Sequence, residues 1–100
     1  LELNNKRIFF KVHGFVQGVG YRAFVKEIAD KYNIKGFVRN AFDGGVEVLA
    51  EGNEENIKKF MDEINVVKRG RIEVVGIEID SNTLNNYSKL HFDDFSIKEY

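Results

Sequence analysis

Nine consecutive residues near the amino end, Gly14-Phe15-Val16-Gln17-Gly18-Val19-Gly20-Tyr21-Arg22, have the types and spacing that could do chemistry. Glycines there let backbone N–H groups converge, and the residues that follow repeat at helical spacing. The stretch therefore delivers the unpaired donors and partial positive charge of a helix start. Val16, Gln17, Gly18, Val19, Gly20, Tyr21 and Arg22 together read as an anion cradle. Arg22 falls in the first helical turn, where acidic residues are favoured, and a guanidinium placed there can grip two phosphate oxygens while loop amides hold others. The same residues also suit a plain tight strand-to-helix turn with Arg22 in water. The spacing matches neither the dinucleotide fingerprint nor the Walker loop, which ends in Gly-Lys-Ser/Thr, and so points away from NAD and ATP.

A second constellation is Gly36-Phe37-Val38-Arg39-Asn40, followed by Asp43-Gly44-Gly45-Val46-Glu47. Asn offers both a donor and an acceptor, which equips it to orient a water without competing as a charged base. It also suits a simple strand-end cap. Which of these Asn40 does depends on whether the fold brings it to the cradle.

Ile8, Phe10 and Val12 alternate with Phe9, Lys11 and His13, the period of a strand, which Gly14 ends. Tyr21, Phe24, Val25, Ile28, Ala29 and Tyr32 form one apolar helical stripe, with Asn33 as its stop. Ile34 to Asn40 and Val46 to Glu51 read as two strands joined through the Asp43-Gly44-Gly45 turn. Glu54 and Glu55 then open a second amphipathic helix through Ile57, Phe60, Met61 and Ile64. Arg71 to Asp80 is a strand whose alternation changes phase near Gly76, marking either a bulge or burial on both faces. Ser81 to Ser88 reads as a polar surface loop before a short last strand, Phe95 to Tyr100.

This β-α-β-β-α-β order with a short extra strand predicts an α+β, ferredoxin-like split β-α-β sandwich, with a mostly antiparallel sheet and two helices on one face. In such a unit the first strand and the strand after the helix run in the same direction on either side of the third. Asn40 should then emerge beside the cradle, about two strand spacings or roughly 10 Å away.

Composition fits one soluble globular domain, expected over residues 6–100: 43% hydrophobic, 31% charged and no Pro-rich linker. Residues 1–5 are set aside as either disordered or a trimmed or engineered start, because the chain begins with Leu. The absence of cysteine excludes thiol catalysis and thiolate metal sites. With no spanning apolar run and no signal-peptide pattern, the expected location is cytoplasmic and no membrane is expected as partner. The net charge is −1, yet residues 1–40 hold eight basic side chains against three acidic, which fits either a solvated surface or an anion handled by the first half.

Val16-Gln17-Gly18-Val19-Gly20-Tyr21-Arg22, with Gly36-Phe37-Val38-Arg39-Asn40 and Asp43-Gly44-Gly45-Val46-Glu47, closely resembles the acylphosphatase family. The likeness runs from about Lys6 to Tyr100. It implies hydrolysis of a carboxyl-phosphate bond to carboxylate and inorganic phosphate, with no metal, cofactor or covalent intermediate. By the same resemblance Arg22 and the loop amides would bind the phosphoryl group, and Asn40 would position the attacking water. The partners implied are a small acyl phosphate and inorganic phosphate, as product and competitor, acting on a monomer.

Three departures stand out. Tyr21 replaces the family's usual Phe, Phe37 its common Trp, and Lys68-Arg69-Gly70-Arg71 the frequent Gly-Pro loop. A similar module begins a larger hydrogenase-maturation carbamoyltransferase, but a 100-residue chain favours the free enzyme. His13 and His91 have no metal-ligand spacing, and the acidic pairs Glu54-Glu55 and Asp93-Asp94 suit a solvated surface. Two rivals remain. Lys35-Gly36-Phe37 with Phe42 partly echoes RNA-recognition domains, which stack bases on sheet aromatics, although Val38, Arg39 and Asn40 break the pattern and no nucleic-acid partner is expected. A non-catalytic anion-binding domain would bind phosphate without turnover.

Overall fold

The alternation of Ile8, Phe10 and Val12 forms β1 (Asn5–Phe15) in the computed structural model, which describes residues 5–99. Asn5 already pairs with Asn53, one residue ahead of the expected boundary, and the expectation for residues 1–4 lies outside the described residues. After it come α1 (Tyr21–Lys31), β2 (Lys35–Asn40), β3 (Val46–Asn53), α2 (Glu54–Ile64) and β4 (Glu73–Ile79). A one-turn helix α3 (Ser81–Leu84) and a 3-10 turn, Asn85–Tyr87, precede β5 (Phe95–Lys98). Tyr100, expected to end the last strand, lies outside the described residues.

The five strands are ordered β4-β1-β3-β2-β5. β1 and β2 each pair antiparallel with β3, so they run parallel to one another and end at one edge of the sheet. β5 joins β2 in the one parallel pairing among the described residues. This is the expected split β-α-β sandwich. The phase change in the fourth strand is a bulge: His13 pairs with Gly76 and Gly14 with Val74, which leaves Val75 as the extra residue, exposed at the sheet edge.

The even-numbered strand residues Phe10, Val12, Val38, Val46, Val48 and Ala50 face the helices and bury against Val25, Ile28, Ile57, Phe60 and Ile64. Period-two strands meeting two amphipathic stripes explain this core without further assumption. The helices are also tied directly to one another. Tyr21, 1% exposed, donates its hydroxyl to the carbonyl of Ile64 at 2.8 Å, and Lys31 and Tyr32 both reach Glu63. Burial pushes the Tyr21 phenol above its ordinary value, so it stays a neutral donor. Tyr21→Phe is therefore expected to lower stability by about 1 kcal/mol, because the Ile64 carbonyl loses its buried donor. The denaturant midpoint should fall with an unchanged slope, and an unaltered midpoint would show that the bond contributes nothing.

Ser81 to Ser88, expected as a surface loop, instead covers the opposite face of the sheet. Leu84, Tyr87 and Phe92 pack on a second small core of Phe9, Phe37 and Leu49. Tyr87 stacks on Phe9 at 5.7 Å between ring centroids and meets Phe37 edge-on at 5.4 Å. Arg7 donates to the Tyr87 carbonyl and Arg39 to its hydroxyl. The apolar anchors are separated by polar residues that face water, so the segment carries no periodicity long enough to reveal them.

Candidate active site

The loop after β1 is built by two glycines with left-handed backbones, Gly18 at φ 73° and Gly20 at φ 84°. A side chain at either would meet nothing within 4 Å, so glycine is required there by conformation and not by crowding. Gly20 is also the residue at the start of α1. The two main helices contrast at this point. α2 is capped by Asn53, whose side chain accepts from the Asn56 amide at 2.7 Å, and carries Glu54 and Glu55 in its first turn. α1 has no side-chain cap and no acid in its first turn. Its terminal donors and partial positive charge are left for something other than the chain's own side chains.

Around this helix start lies a pocket of about 190 Å³ lined by Val16, Gly18, Gly20, Tyr21, Arg22, Ala23 and Ile97. The side chains of Val16 and Tyr21 are buried and that of Val19 packs against the main core, so these three hold the loop down. Arg22 is half-buried and donates from Nη1 to the carbonyl of Lys98 at 3.2 Å. Among the described residues no carboxylate lies within ion-pair distance of it, whereas Lys11, Lys26, Lys31 and Arg39 are each paired with an acid. Ile97 and Lys98 belong to β5, and periodicity gave no sign that the last strand would wall the pocket. The only available signal was topological, since the strand beside β2 must pass the start of α1.

Asn40 ends β2 with its side chain on the helix-facing side, the same parity as Val38. Its Oδ1 is buried with no hydrogen-bond partner in the protein. The turn that follows is closed by Ala41 N–H donating to the Gly45 carbonyl and by Gly45 N–H donating to Asp43 Oδ1. Lys11 binds the other Asp43 oxygen at 2.9 Å, and this hydrogen bond holds the Asp43 carboxyl below its ordinary value. The cradle reaches the same turn directly. Gln17, counted in the phosphate loop for its backbone amide, extends its side-chain Nε2 to the carbonyls of Ala41 and Gly45 at 2.7 and 2.8 Å. The ends of β1 and β2, separated by β3, thus lie on one side of the sheet with the Gln17 side chain bridging the loops that follow them. Arg22 lines the pocket at the start of α1, and Asn40 a separate one with Lys11, Arg39 and Asp43.

A glycine loop, an uncapped helix start and an arginine, at the edge of a split β-α-β sheet, make this a ferredoxin-like α+β sandwich with a loop of the composition and backbone geometry suited to an anion. The acylphosphatase family model matches residues 8–97. An acylphosphatase of Methanospirillum hungatei is 39% identical over 83 residues, covering 83% of this chain and 91% of the relative. That of Thermotoga maritima is 34% identical over 95 residues, 95% of this chain and 99% of the relative. The crystal structure of acylphosphatase from Bacillus subtilis superposes with a TM-score of 0.78 at 35% identity, over 92% of this chain and 97% of that one. The fold is also similar to part of T. kodakarensis HypF, with a TM-score of 0.76 at 32% identity, over 91% of this chain and 11% of that one. The chain belongs to the acylphosphatase family, hydrolases that act on small acyl phosphates. Among the described residues no helix is long and apolar enough to cross a membrane.

Proposed function

We propose that this chain hydrolyses an acyl phosphate by holding the phosphoryl group on Arg22 and the amides of residues 16–22, while Asn40 orients the attacking water. The observation that carries this reading is the buried, unpartnered Oδ1 of Asn40. A buried acceptor to which the protein offers no donor costs about 1–3 kcal/mol, and a water held there for attack would offset it. The oxygen accepts one water proton and points a lone pair of that water at phosphorus. Charge gathers on the equatorial oxygens as the bond to the carboxylate lengthens, and Arg22 with the helix-start amides faces that charge in advance. The carboxylate departs opposite the water without needing a strong acid, and the water's protons pass to phosphate and solvent.

Among the described residues no group of three or more His, Cys, Asp or Glu side chains is placed to hold a metal ion, and the reading proposed here assigns no step to one. Of the two aromatics in the RNA-recognition echo, Phe37 is 1% exposed under Tyr87 and Phe92 and offers no face for a base, which weighs against that reading, while Phe42 is exposed. Purified protein is expected to cleave a simple acyl phosphate while a phosphomonoester, whose alkoxide needs a proton to leave, is cleaved at least about a hundredfold more slowly. Chelators should leave the rate unchanged and inorganic phosphate should compete. Equal rates on the two substrate classes, or loss in chelator restored by a divalent ion, would overturn the mechanism. Phosphate binding without turnover would favour the anion-binding reading.

A further inference from the structure

The carboxamide nitrogen of Gln17 has two N–H groups, and two carbonyls occupy it: Ala41 at 2.7 Å and Gly45 at 2.8 Å. With both donors taken, only Oε1 is left, an acceptor with no attraction for phosphoryl oxygens. The Gln17 side chain is therefore not a phosphate ligand even though its residue lies in the phosphate loop. What it touches is the turn that begins one residue after Asn40. That turn is closed internally by the Ala41–Gly45 and Gly45–Asp43 bonds, so holding its two end carbonyls holds it as a unit. From the opposite side of the sheet, Lys11 holds Asp43.

We propose that Gln17 is a positioning residue: its side chain clamps the Ala41–Gly45 turn to the cradle and thereby sets where Asn40 stands relative to the phosphoryl group on Arg22. The inference rests on the roles given above to Arg22 and Asn40. β2 alone fixes Asn40 only through its last ladder pair, with Val46. An attacking water must lie within a few tenths of an ångström of its line, and a misplacement of about 1 Å costs on the order of a hundredfold in rate. A bridge across the gap between the two loops supplies that constraint where the ladder ends.

The test is Gln17→Met, which keeps length and removes both donors, with Gln17→Ala as a second variant that adds no bulk. Each is compared with Asn40→Ala and combined with it. In the single Gln17 variants kcat should fall about 10- to 100-fold, while the inhibition constant of inorganic phosphate stays within about twofold of the parent's. Combined with Asn40→Ala, the Gln17 change should add no further loss, because its effect passes through Asn40. Hydrogen exchange of the backbone amides at 41–45 should accelerate, with those of α2 unaffected. Phosphate inhibition weakening in step with kcat would make Gln17 a ligand of the phosphoryl group. Multiplicative losses in the double variant would detach it from Asn40, and parental kcat would remove the clamp. If Asn40→Ala itself kept parental turnover, the role of Asn40 would fail and the positioning role with it. Unchanged exchange at 41–45 would overturn the clamp alone.

Discussion

Arg22→Lys is expected to lower kcat/KM by at least about a hundredfold, which is about 2.7 kcal/mol of transition-state stabilisation, and to weaken inhibition by inorganic phosphate. Lysine keeps the charge but replaces a planar fork of donors with one point, so it cannot span two phosphate oxygens. Nor can it easily both reach the pocket and retain the contact with the Lys98 carbonyl that orients Arg22. Folding should be little affected, because that contact is exposed and no ion pair with a described residue is broken. Thermal unfolding and steady-state kinetics on the same preparation separate the two effects. Unimpaired activity with a native unfolding curve would take Arg22 out of the site.

Asn40→Ala is expected to remove most turnover, roughly a hundred- to a thousandfold in kcat, while the phosphate inhibition constant stays near the parent's. Binding and rate should separate here because the cradle of residues 16–22 is untouched. Only the group that aims the water is gone. Asn40→Asp is the sharper variant. It preserves shape and an acceptor oxygen but places a negative charge in a half-buried position beside a phosphate, which opposes the anion, so it should be at least as damaging as alanine. Near-parental turnover in Asn40→Asp would mean that the residue acts as a base or does not act, and water positioning would have to be abandoned. A weakened phosphate constant matching the loss in kcat would instead make Asn40 part of the binding site.

Local pattern carried much of this protein. Alternation in residues 8–12, apolar stripes at three and four in α1 and α2, and the Asp43-Gly44-Gly45 turn are properties of neighbours along the chain, and each formed as the periods of strand and helix require. The glycine loop with Arg22 was legible for the same reason: left-handed backbones need glycine, and an arginine in a first helical turn is conspicuous. Even the placement of the ends of β1 and β2 on one side of the sheet followed from element order, since a strand–helix–strand unit around a third strand leaves two parallel ends there.

Contacts between distant side chains and backbone were not legible in this way. Gln17 meets carbonyls 24 and 28 residues away, Arg22 meets one 76 residues away, and nothing in residue type selects those oxygens among the many a donor could reach. Tyr87 could become a cover for Phe9 and Phe37 only once both rings were found on the face turned away from the helices. The sequence by itself determined the two long helices, the strands and their order, though not the short helical turns at 81–87, and the glycine-rich character of the loop, because those depend on backbone conformation and on periods of two and 3.6 residues. Only the tertiary structure decided which carbonyls orient Arg22 and the turn after Asn40, and which face each ring covers. Those choices depend on distances of a few ångströms between segments far apart in the chain, and no periodicity encodes them.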